Sequence, residues 1–321
     1  MAKKNKALMT AMANLEKRFG SGSVIKMGDG NKNVETITTG RADLDDILGG
    51  GFAKGKIIEI YGEEATGKTG IALEAIREVQ NSGGVAAIVD AEHALNTEYC
   101  EKVGVDVDAL YLAQPKSGEE GVEVTRTLIE TGEVDLIIVD SIASMTPKRL
   151  LDGEAGEANM GIHAKLMGQF MKMIVSPAEE YSCTIILINQ QRDSMAQYAP
   201  VKTTVGGHAI KFAASQRLEV KKKGQIKEGD EVIGYKQYVR CVKNKVSSPF
   251  KWIENNIIYE KGVDALTGII EAAIKNEILV RKGAWYAYED TNIAQGMKKL
   301  RIMLEDNSEL VEEIQNKLKK N

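Results

Sequence analysis

The chain has 321 residues, of which 43% are hydrophobic and 27% are charged, so it can bury a sizeable core in one large domain with an appendage. No apolar run reaches the roughly eighteen residues of a membrane span, and the N-terminus lacks a signal-peptide core, so we expect a cytoplasmic protein without a membrane partner. Three cysteines and three histidines lie far apart in the sequence, which argues against a disulfide framework and a zinc site.

The formal net charge of −4 by itself argues against a nucleic-acid partner, but this charge is distributed unevenly. Residues 1–32 carry a net charge of +5, residues 33–201 carry −15, residues 202–251 carry +8, and residues 252–321 carry −2. The total therefore describes no single surface, and it leaves a locally basic, DNA-facing region possible. Within the basic segment, we interpret the lysine run 221–223 as a solvated turn.

The first element in chain order is an amphipathic helix near the N-terminus. Its apolar residues recur at the spacing of one helix face, and Gly20-Ser21-Gly22 follows them. This stripe can pack on the core of the same subunit or on a neighbouring subunit, and the pattern does not choose between the two. The residues of the stripe are Leu8, Met12, Leu15 and Phe19.

Four short apolar runs follow, with helical material between them, and they predict buried parallel strands. Each run ends in polar or small residues, and in an open α/β sheet such residues converge on one crevice beyond the carboxyl ends of the strands. After about Asp264, one helix, an aromatic strand and two further helical stretches predict a small α/β lobe. The four predicted strands are centred on residues 57–60, 85–89, 136–139 and 185–188.

The strongest motif is the stretch from Gly62 to Thr69, G-E-E-A-T-G-K-T, which lies between a predicted strand and a predicted helix. Its glycines allow the backbone N–H groups to surround a phosphate at a helix N-terminus, where the helix dipole favours negative charge. We expect Lys68 to pair with the β- and γ-phosphates of a nucleotide and Thr69 to ligate Mg²⁺. The motif therefore predicts a nucleotide site.

Two carboxylates complete this predicted site. Asp140 follows the third apolar run and is interpreted as the residue that holds Mg²⁺ directly or through water, although an Asp at a strand end is also a common helix cap. Glu92, just beyond the second run, is the best-placed carboxylate to activate water for hydrolysis. The alternative for Glu92 is a structural salt bridge.

The stretch Asp90-Ala91-Glu92-His93-Ala94-Leu95, between the phosphate loop and Val139-Asp140-Ser141, resembles a motif of the bacterial RecA recombinase family. The resemblance covers essentially the whole chain. Supporting stretches are Ile188-Asn189-Gln190, Gly206-Gly207, Val242-Lys243-Asn244-Lys245 and Gly283-Ala284-Trp285-Tyr286. The resemblance implies an α/β fold with a RecA-like P-loop ATPase core and a mostly parallel sheet. It also implies an N-terminal helix-strand oligomerisation arm (1–33), an ATPase and DNA-binding core (34–264) and a small C-terminal α/β lobe (265–321).

The resemblance also implies roles at the nucleotide. Glu92 would activate water, Gln190 would sense the γ-phosphate, and Lys243 and Lys245 would reach the γ-phosphate of a neighbouring subunit, as arginine fingers do. Asn96 stands where the family usually has Asp, and Tyr99 and Tyr259 would contact the adenine and ribose. The implied ATP-binding set is Gly62, Glu63, Glu64, Ala65, Thr66, Gly67, Lys68, Thr69, Gly70, Asn96, Tyr99, Asp140, Ser141 and Tyr259, with Thr69 and Asp140 as the Mg²⁺ ligands.

Two stretches fit the DNA loops of the family, residues 151–160 and 191–207. From the sequence alone, each is also an ordinary surface loop. By resemblance, Met160 and Tyr198 would wedge between bases, and the Gly206 and Gly207 amides would hold phosphates. The further DNA contacts implied are Lys165, Lys172, Arg192 and His208, with Arg281, Lys282, Lys298 and Lys299 either a landing patch for duplex DNA or a solvated surface.

The implied activity is DNA-stimulated ATP hydrolysis that drives a helical homo-filament on single-stranded DNA, pairs it with homologous double-stranded DNA and exchanges strands in recombination, repair and the SOS response. Loading factors and a self-cleaving repressor are the further partners that the family implies. Two alternatives are a catalytically weak mediator that binds a recombinase filament and a hexameric helicase. Intact Glu92, Lys68, Lys243 and Lys245 favour the enzyme over the mediator, and the N-terminal arm favours a filament over a ring.

Overall fold

The computed structural model describes residues 2–20, 23–24, 34–153, 161–193, 202–259, 262–289 and 291–320. By its internal contacts the chain divides into two units, Met1–Glu35 and Thr36–Asn321. The first unit contains one long helix, α1 (Ala2–Phe19), which confirms the helix expected from the apolar stripe. Residues 25–33, where the strand of the predicted arm would fall, lie outside the described residues.

The second unit is built on a ten-stranded sheet, and all four predicted strands form its parallel centre. Each of these strands is buried on both faces because alternate side chains enter different cores. In β3, Ile58 and Ile60 pack in one core while Ile57 packs in the other. The elements of the first half of this unit are β1 (Thr36–Ile37), α2 (Ala42–Leu48), β2 (Phe52–Ala53), β3 (Ile57–Gly62), α3 (Lys68–Asn81), β4 (Ala86–Asp90), α4 (Thr97–Val103), β5 (Tyr111–Ala113), α5 (Gly118–Glu130), β6 (Leu136–Asp140), α6 (Lys148–Asp152) and α7 (Ile162–Glu180).

The sheet continues beyond its parallel centre as an antiparallel extension. Strand β9 pairs in parallel with β3, and the following strands then add one after another at the edge, in the order β12-β11-β10-β9-β3-β7-β6-β4-β5. The first residues of β9 are buried, whereas its residues 221–225 are exposed, which is the pattern of a hairpin whose base packs on the core and whose tip projects from it. The strands and helix concerned are β7 (Thr184–Asp193), β8 (Lys202–Thr204), α8 (His208–Ala213), β9 (Gln216–Glu228), β10 (Glu231–Asn244), β11 (Trp252–Ile258) and β12 (Gly262–Val263).

Two sequence interpretations in this region are wrong. The lysine run 221–223 is not a turn but an exposed part of β9, paired with residues 236–238 of β10. The expected loop 191–207 is partly strand, because Gln191, Arg192 and Asp193 extend β7 and pair with β8. Residues 194–201, between these two strands, lie outside the described residues. Lysine and other polar side chains misled the sequence interpretation because they tolerate an exposed strand as well as a turn.

The C-terminal residues form a small lobe with its own core, as the sequence predicts. A three-stranded antiparallel sheet packs its buried aromatic side chains, Tyr286 and Tyr288, with apolar residues of three helices. Among the described helices, none is both long enough and apolar enough to cross a membrane. The elements of the lobe are α9 (Ala265–Lys275), β13 (Leu279–Lys282), β14 (Trp285–Tyr288), β15 (Thr291–Gln295), α10 (Met297–Glu305) and α11 (Ser308–Lys320).

Candidate functional site

The candidate site begins at the glycine-rich turn between β3 and α3. Gly62 ends the strand, and Gly67 precedes the helix with a left-handed φ of +85°. A Cβ atom at Gly62 would collide with the carbonyl oxygen of Val220, and one at Gly67 would lie 2.7 Å from the Tyr235 hydroxyl oxygen. Both positions therefore require glycine, because the backbone approaches its neighbours too closely for a side chain.

Hydrogen bonds within the turn hold it as a compact cradle. The Thr66 hydroxyl donates to the Glu63 carbonyl at 3.0 Å, and the Lys68 ammonium donates to the same carbonyl at 2.6 Å. Burial lowers the pKa of Lys68, while the negative charges of Asp140 and Glu92 oppose that shift. A buried ammonium at the head of a helix is well placed to pair with phosphate oxygens, which replace the water it has lost.

A hydroxyl and a carboxylate meet beside this ammonium. The Thr69 hydroxyl, on the first turn of α3, donates to Asp140 Oδ2 at the end of β6, at 2.7 Å. Burial raises the pKa of Asp140 to about 6, with the Thr69 hydrogen bond opposing the shift and the charge of Glu92 adding to it. Such oxygen donors suit Mg²⁺, which binds through one or two protein ligands together with substrate phosphates. No group of three acidic, histidine or cysteine ligands that could hold a metal occurs among the described residues, so phosphate oxygens and water would complete the shell of an Mg²⁺ ion here.

Glu92 lies beyond the end of β4 and faces the ends of two neighbouring strands. Its Oε1 accepts a hydrogen bond from the Ser141 hydroxyl at 2.6 Å and another from the Gln190 amide at 3.0 Å. Within the described part of the chain, these polar contacts are with neutral groups rather than with a cation. The contacts thus orient the carboxylate without neutralising it, and favour a base over a structural ion pair.

The site includes a cavity of about 480 Å³, which extends from the phosphate loop toward β10 and β11. Tyr99, Tyr235 and Tyr259 line it. The ring centroids of Tyr235 and Tyr259 are 6.1 Å apart, and the Lys222 ammonium lies 4.6 Å from the first ring and 5.8 Å from the second. Tyr235 is not evident from the sequence, because no local pattern on an alternating strand distinguishes a cavity-lining tyrosine from any other.

The structure brings most of the expected nucleotide residues together at this cavity. Glu64 through Gly70, Glu92, Tyr99, Asp140, Ser141, Gln190 and Tyr259 all line it. Gly62 and Glu63 precede this lining segment in the turn. Asn96 stands apart: it is the N-cap of α4, and its side-chain oxygen accepts the Tyr99 backbone N–H at 3.0 Å.

Lys243 and Lys245 also lie outside the residues that line the cavity of their own chain. The Lys243 ammonium donates to the carbonyl oxygens of Lys211 and Phe212, at 2.8 and 3.1 Å, near the end of α8. Burial lowers the pKa of Lys243, and the nearby charges of Lys245 and Arg217 lower it further. The two lysines therefore place two positive charges close together, away from the residues that line the cavity.

The expected DNA residues fall into four groups. Met160 and Tyr198 lie outside the described residues. Lys165 and Lys172 are exposed on α7, and their spacing of seven residues places them on one face of the helix. Near the end of β7, Arg192 donates to the Gln190 side-chain oxygen at 3.4 Å, so a residue expected to contact DNA bonds the same side chain that donates to Glu92. Gly206 and Gly207, both with positive φ, lead directly into His208 at the start of α8.

Gly67→Ala is expected to weaken nucleotide binding severely, to the point where saturation is not reached at millimolar nucleotide. The matched control is Gly83→Ala. Gly83 also has a left-handed φ, of +78°, but no atom lies within 4 Å of the position that a Cβ would take there. Both changes carry the strain of about 1–2 kcal/mol for a left-handed non-glycine residue. Only the first also displaces Gln237 and Tyr235. Titration with a fluorescent nucleotide measures the difference, and equal affinities for the two variants would contradict this account of the turn.

The fold and the site define a phosphate-loop ATPase with a doubly covered, mostly parallel sheet. Comparisons with known proteins identify its family. A model of the RecA N-terminal domain matches residues 6–264, and a model of the RecA C-terminal domain matches residues 267–321. Protein RecA of Macrococcus caseolyticus is 44% identical over 323 residues, which cover 100% of this chain and 92% of the relative. Protein RecA of Staphylococcus aureus (strain JH9) is 43% identical over 319 residues, which cover 98% of this chain and 92% of the relative.

The chain therefore belongs to the RecA recombinase family. Its function is that of a DNA-dependent ATPase and recombinase in recombination and repair. This membership confirms the family, the fold class and the activity expected from the sequence.

Proposed function

We propose that this chain binds ATP with Mg²⁺ in the cavity above the phosphate loop and uses it to assemble a helical homo-filament on single-stranded DNA. The filament would then pair with homologous double-stranded DNA and exchange strands. One observation carries this proposal: the phosphate loop, the Thr69–Asp140 pair and the Glu92–Gln190 pair converge at the carboxyl ends of β3, β6, β4 and β7. This is where a mostly parallel sheet places its ligand.

In the proposed site, the loop amides and Lys68 hold the β- and γ-phosphates. Thr69 and Asp140 would hold Mg²⁺, which would supply charge neutralisation on the phosphate oxygens. Glu92 accepts a proton from the attacking water, and the hydroxyl of Ser141 and the amide of Gln190 keep its carboxylate oriented. Tyr99 and Tyr259 contact the adenine and ribose, whereas the capping role of Asn96 favours an indirect effect through Tyr99.

Lys243 and Lys245 are proposed to act on the γ-phosphate bound by a neighbouring subunit. Their position away from the cavity of their own chain supports a role in trans, because they cannot contribute charge there. Paired cations supplied in this way stabilise the charge that develops on the transferred phosphoryl group, an effect worth about 10³–10⁵ in rate for arginine fingers.

The DNA side of the proposal rests on the contact between Arg192 and Gln190. DNA phosphates that bind Arg192 would withdraw it from Gln190, and this would change how Gln190 holds Glu92. Lys165 and Lys172 would add phosphate contacts from one face of α7, and Gly206, Gly207 and His208 would add contacts before α8. Met160 and Tyr198 keep their proposed wedge role. Among the basic residues of the C-terminal lobe, Lys298 is paired with Glu228 at 3.2 Å, which lowers its availability to duplex DNA.

We also propose a domain organisation, further partners and a compartment for this chain. The chain divides into an assembly arm, residues 1–33, an ATPase and DNA-binding core, residues 34–264, and a small lobe, residues 265–321. Loading factors and a self-cleaving repressor are the additional partners, and the cytoplasm is the compartment.

Strand exchange between homologous single-stranded and double-stranded DNA, with ATP and Mg²⁺, tests this function directly. A product that requires homology, ATP and Mg²⁺ supports the proposal. Electron microscopy of the same mixture should show filaments on the single strand. Closed rings without strand exchange would instead indicate a helicase-like assembly and overturn the proposal.

Removing residues 1–32 is expected to give a monomer that still binds nucleotide but forms no long filaments. The reason is that the arm is proposed to bury its apolar stripe on the next subunit rather than on its own core. Light scattering on single-stranded DNA with a slowly hydrolysed ATP analogue measures assembly, and equilibrium nucleotide titration checks that the core is intact. Filaments of normal length from the truncated chain would exclude this role for the arm.

A further inference from the structure

A buried polar network connects the phosphate loop to three separate elements. Arg41, which precedes α2, is ion-paired through its Nε with Glu74 on α3. The Nη1 of Arg41 donates to the side-chain oxygen of Gln237 on β10 at 2.7 Å. The side-chain nitrogen of Gln237 in turn donates to the carbonyl oxygen of Thr66, inside the phosphate loop, at 2.7 Å. Gln237 has no exposed surface, and Arg41 and Glu74 are 7% and 9% exposed.

The network fixes the orientation of one peptide group of the loop. The Thr66 carbonyl and the Gly67 N–H belong to the same planar peptide, which is trans, so they point in opposite directions. A carbonyl that accepts the hydrogen bond of Gln237 therefore directs the Gly67 N–H away from Gln237. A loop that binds phosphate through its amides needs its carbonyls turned outward in this way.

The chemistry of the network makes Gln237 the residue that acts on the loop. A glutamine side chain has one acceptor and two donors, so it can receive the Arg41 guanidinium and hold the Thr66 carbonyl at the same time. Arg41 restrains which end of the amide faces the loop, because a guanidinium donates and cannot accept. Glu74 compensates the buried charge of Arg41 and is itself part of α3, the helix that follows the loop.

We infer that Gln237, oriented by Arg41 and Glu74, is a positioning residue that holds the phosphate loop in its binding conformation and so determines the affinity for nucleotide. This inference rests on the proposed nucleotide site and adds a residue to it that the phosphate-loop motif does not contain. Gln237 does not touch the phosphates; it acts through the Thr66 peptide. Its effect falls on nucleotide binding, and saturating nucleotide recovers the rate of hydrolysis.

Two substitutions at Gln237 separate this role from a purely structural one. Gln237→Leu removes both hydrogen bonds, whereas Gln237→Glu keeps an acceptor for Arg41 and loses the donor to Thr66. If Gln237 merely filled the core or satisfied Arg41, the loss of affinity in the two variants would not exceed that of a matched variant at another buried glutamine. If it positions the loop, both variants lose affinity.

The matched control is Gln216→Leu. Gln216 is also a fully buried glutamine on a strand of the same sheet, and it also bonds backbone groups, the Ala53 N–H and the Gly51 carbonyl, at 2.9 and 3.1 Å. Those groups lie outside the phosphate loop. The Gln216→Leu variant therefore measures how much nucleotide affinity changes when any buried glutamine of this sheet is removed.

The experiment uses the full chain and a fluorescent ADP with Mg²⁺, with thermal melts to confirm folding. We expect the dissociation constant to rise about tenfold in Gln237→Leu and Gln237→Glu, the scale of one lost buried hydrogen bond, and to stay within about twofold in Gln216→Leu. The KM for ATP should rise by a similar factor, with kcat within about twofold. If Gln237→Leu does not fold, the glutamate variant carries the test because it retains the partner of Arg41.

An unchanged affinity in Gln237→Glu would overturn the inference, as would an equal loss in Gln216→Leu. Either result, with a wild-type chain that binds and hydrolyses nucleotide, leaves the proposed function intact. A wild-type chain that fails to bind Mg²⁺ and ADP would overturn both.

Discussion

Replacing Glu92 with glutamine is expected to lower the rate of ATP hydrolysis by about 10²–10⁴-fold, the usual contribution of a positioned general base. Glutamine has nearly the same size and keeps a side-chain oxygen that can accept the hydrogen bonds of Ser141 and Gln190. It cannot accept a proton from water at neutral pH. Nucleotide binding and filament assembly on DNA should therefore remain close to normal, because the phosphate loop is untouched.

Steady-state hydrolysis on saturating single-stranded DNA measures this loss, and nucleotide titration measures binding. Glu123→Gln is the matched control, since Glu123 is an exposed glutamate that pairs with Arg126 at 2.9 Å on α5, away from the cavity. It should hydrolyse ATP like the wild type. Near-normal hydrolysis by the Glu92 variant would remove this residue from the proposed role and favour a structural one.

Replacing both Lys243 and Lys245 with alanine is expected to reduce DNA-stimulated hydrolysis by about 10³-fold or more and to weaken ATP-promoted assembly in parallel. Both effects have one cause, because the lysines are proposed to bind the γ-phosphate of the neighbouring subunit and so to join two subunits through the nucleotide. Nucleotide binding by the isolated chain should change little, since neither lysine lines its own cavity. Lys236→Ala, which alters an exposed lysine of β10, the strand that also carries Lys243, is the control.

A mixture of two inactive variants makes the action in trans visible. A filament that contains both Glu92→Gln subunits and lysine-deficient subunits has some interfaces at which an intact Glu92 site faces intact lysines. Random mixing in equal amounts gives about a quarter of such interfaces, so hydrolysis should recover to that order. No recovery in well-formed mixed filaments would show that Lys243 and Lys245 act on the site of their own chain or serve assembly alone.

The sequence was sufficient for the parts of the molecule that local patterns encode. Continuous β-branched runs marked the central strands, and the glycine and lysine spacing of residues 62–69 marked the phosphate loop, because each pattern has few alternative structures. Polar residues at the ends of those strands were expected to meet, and Asp140, Glu92 and Gln190 do line one cavity. Parallel topology alone is enough to bring them there.

The parts that the sequence did not indicate depend on long-range contacts. Gln237 and Arg41 are 196 residues apart in the chain, and Gln237 and Thr66 are 171 residues apart. Neither a buried glutamine on an alternating strand nor an arginine before a short helix has a local signature. The lysine run 221–223 was misread for a related reason, because an exposed strand and an exposed turn solvate lysine equally well.

Strand β10 has a further consequence for how a filament would respond to nucleotide. The strand carries Tyr235 and Gln237 beside the cavity of its own chain, and about 20 Å farther on it carries Lys243, proposed to serve the next subunit. The backbone of β10 would therefore couple nucleotide binding in the cavity of its own chain to the position of Lys243 at the site of the next subunit. Under the proposed in-trans role of Lys243, such a filament would behave as a one-dimensional array with nearest-neighbour coupling, in which ATP binding would spread along the polymer and hydrolysis at one position would loosen the adjacent one.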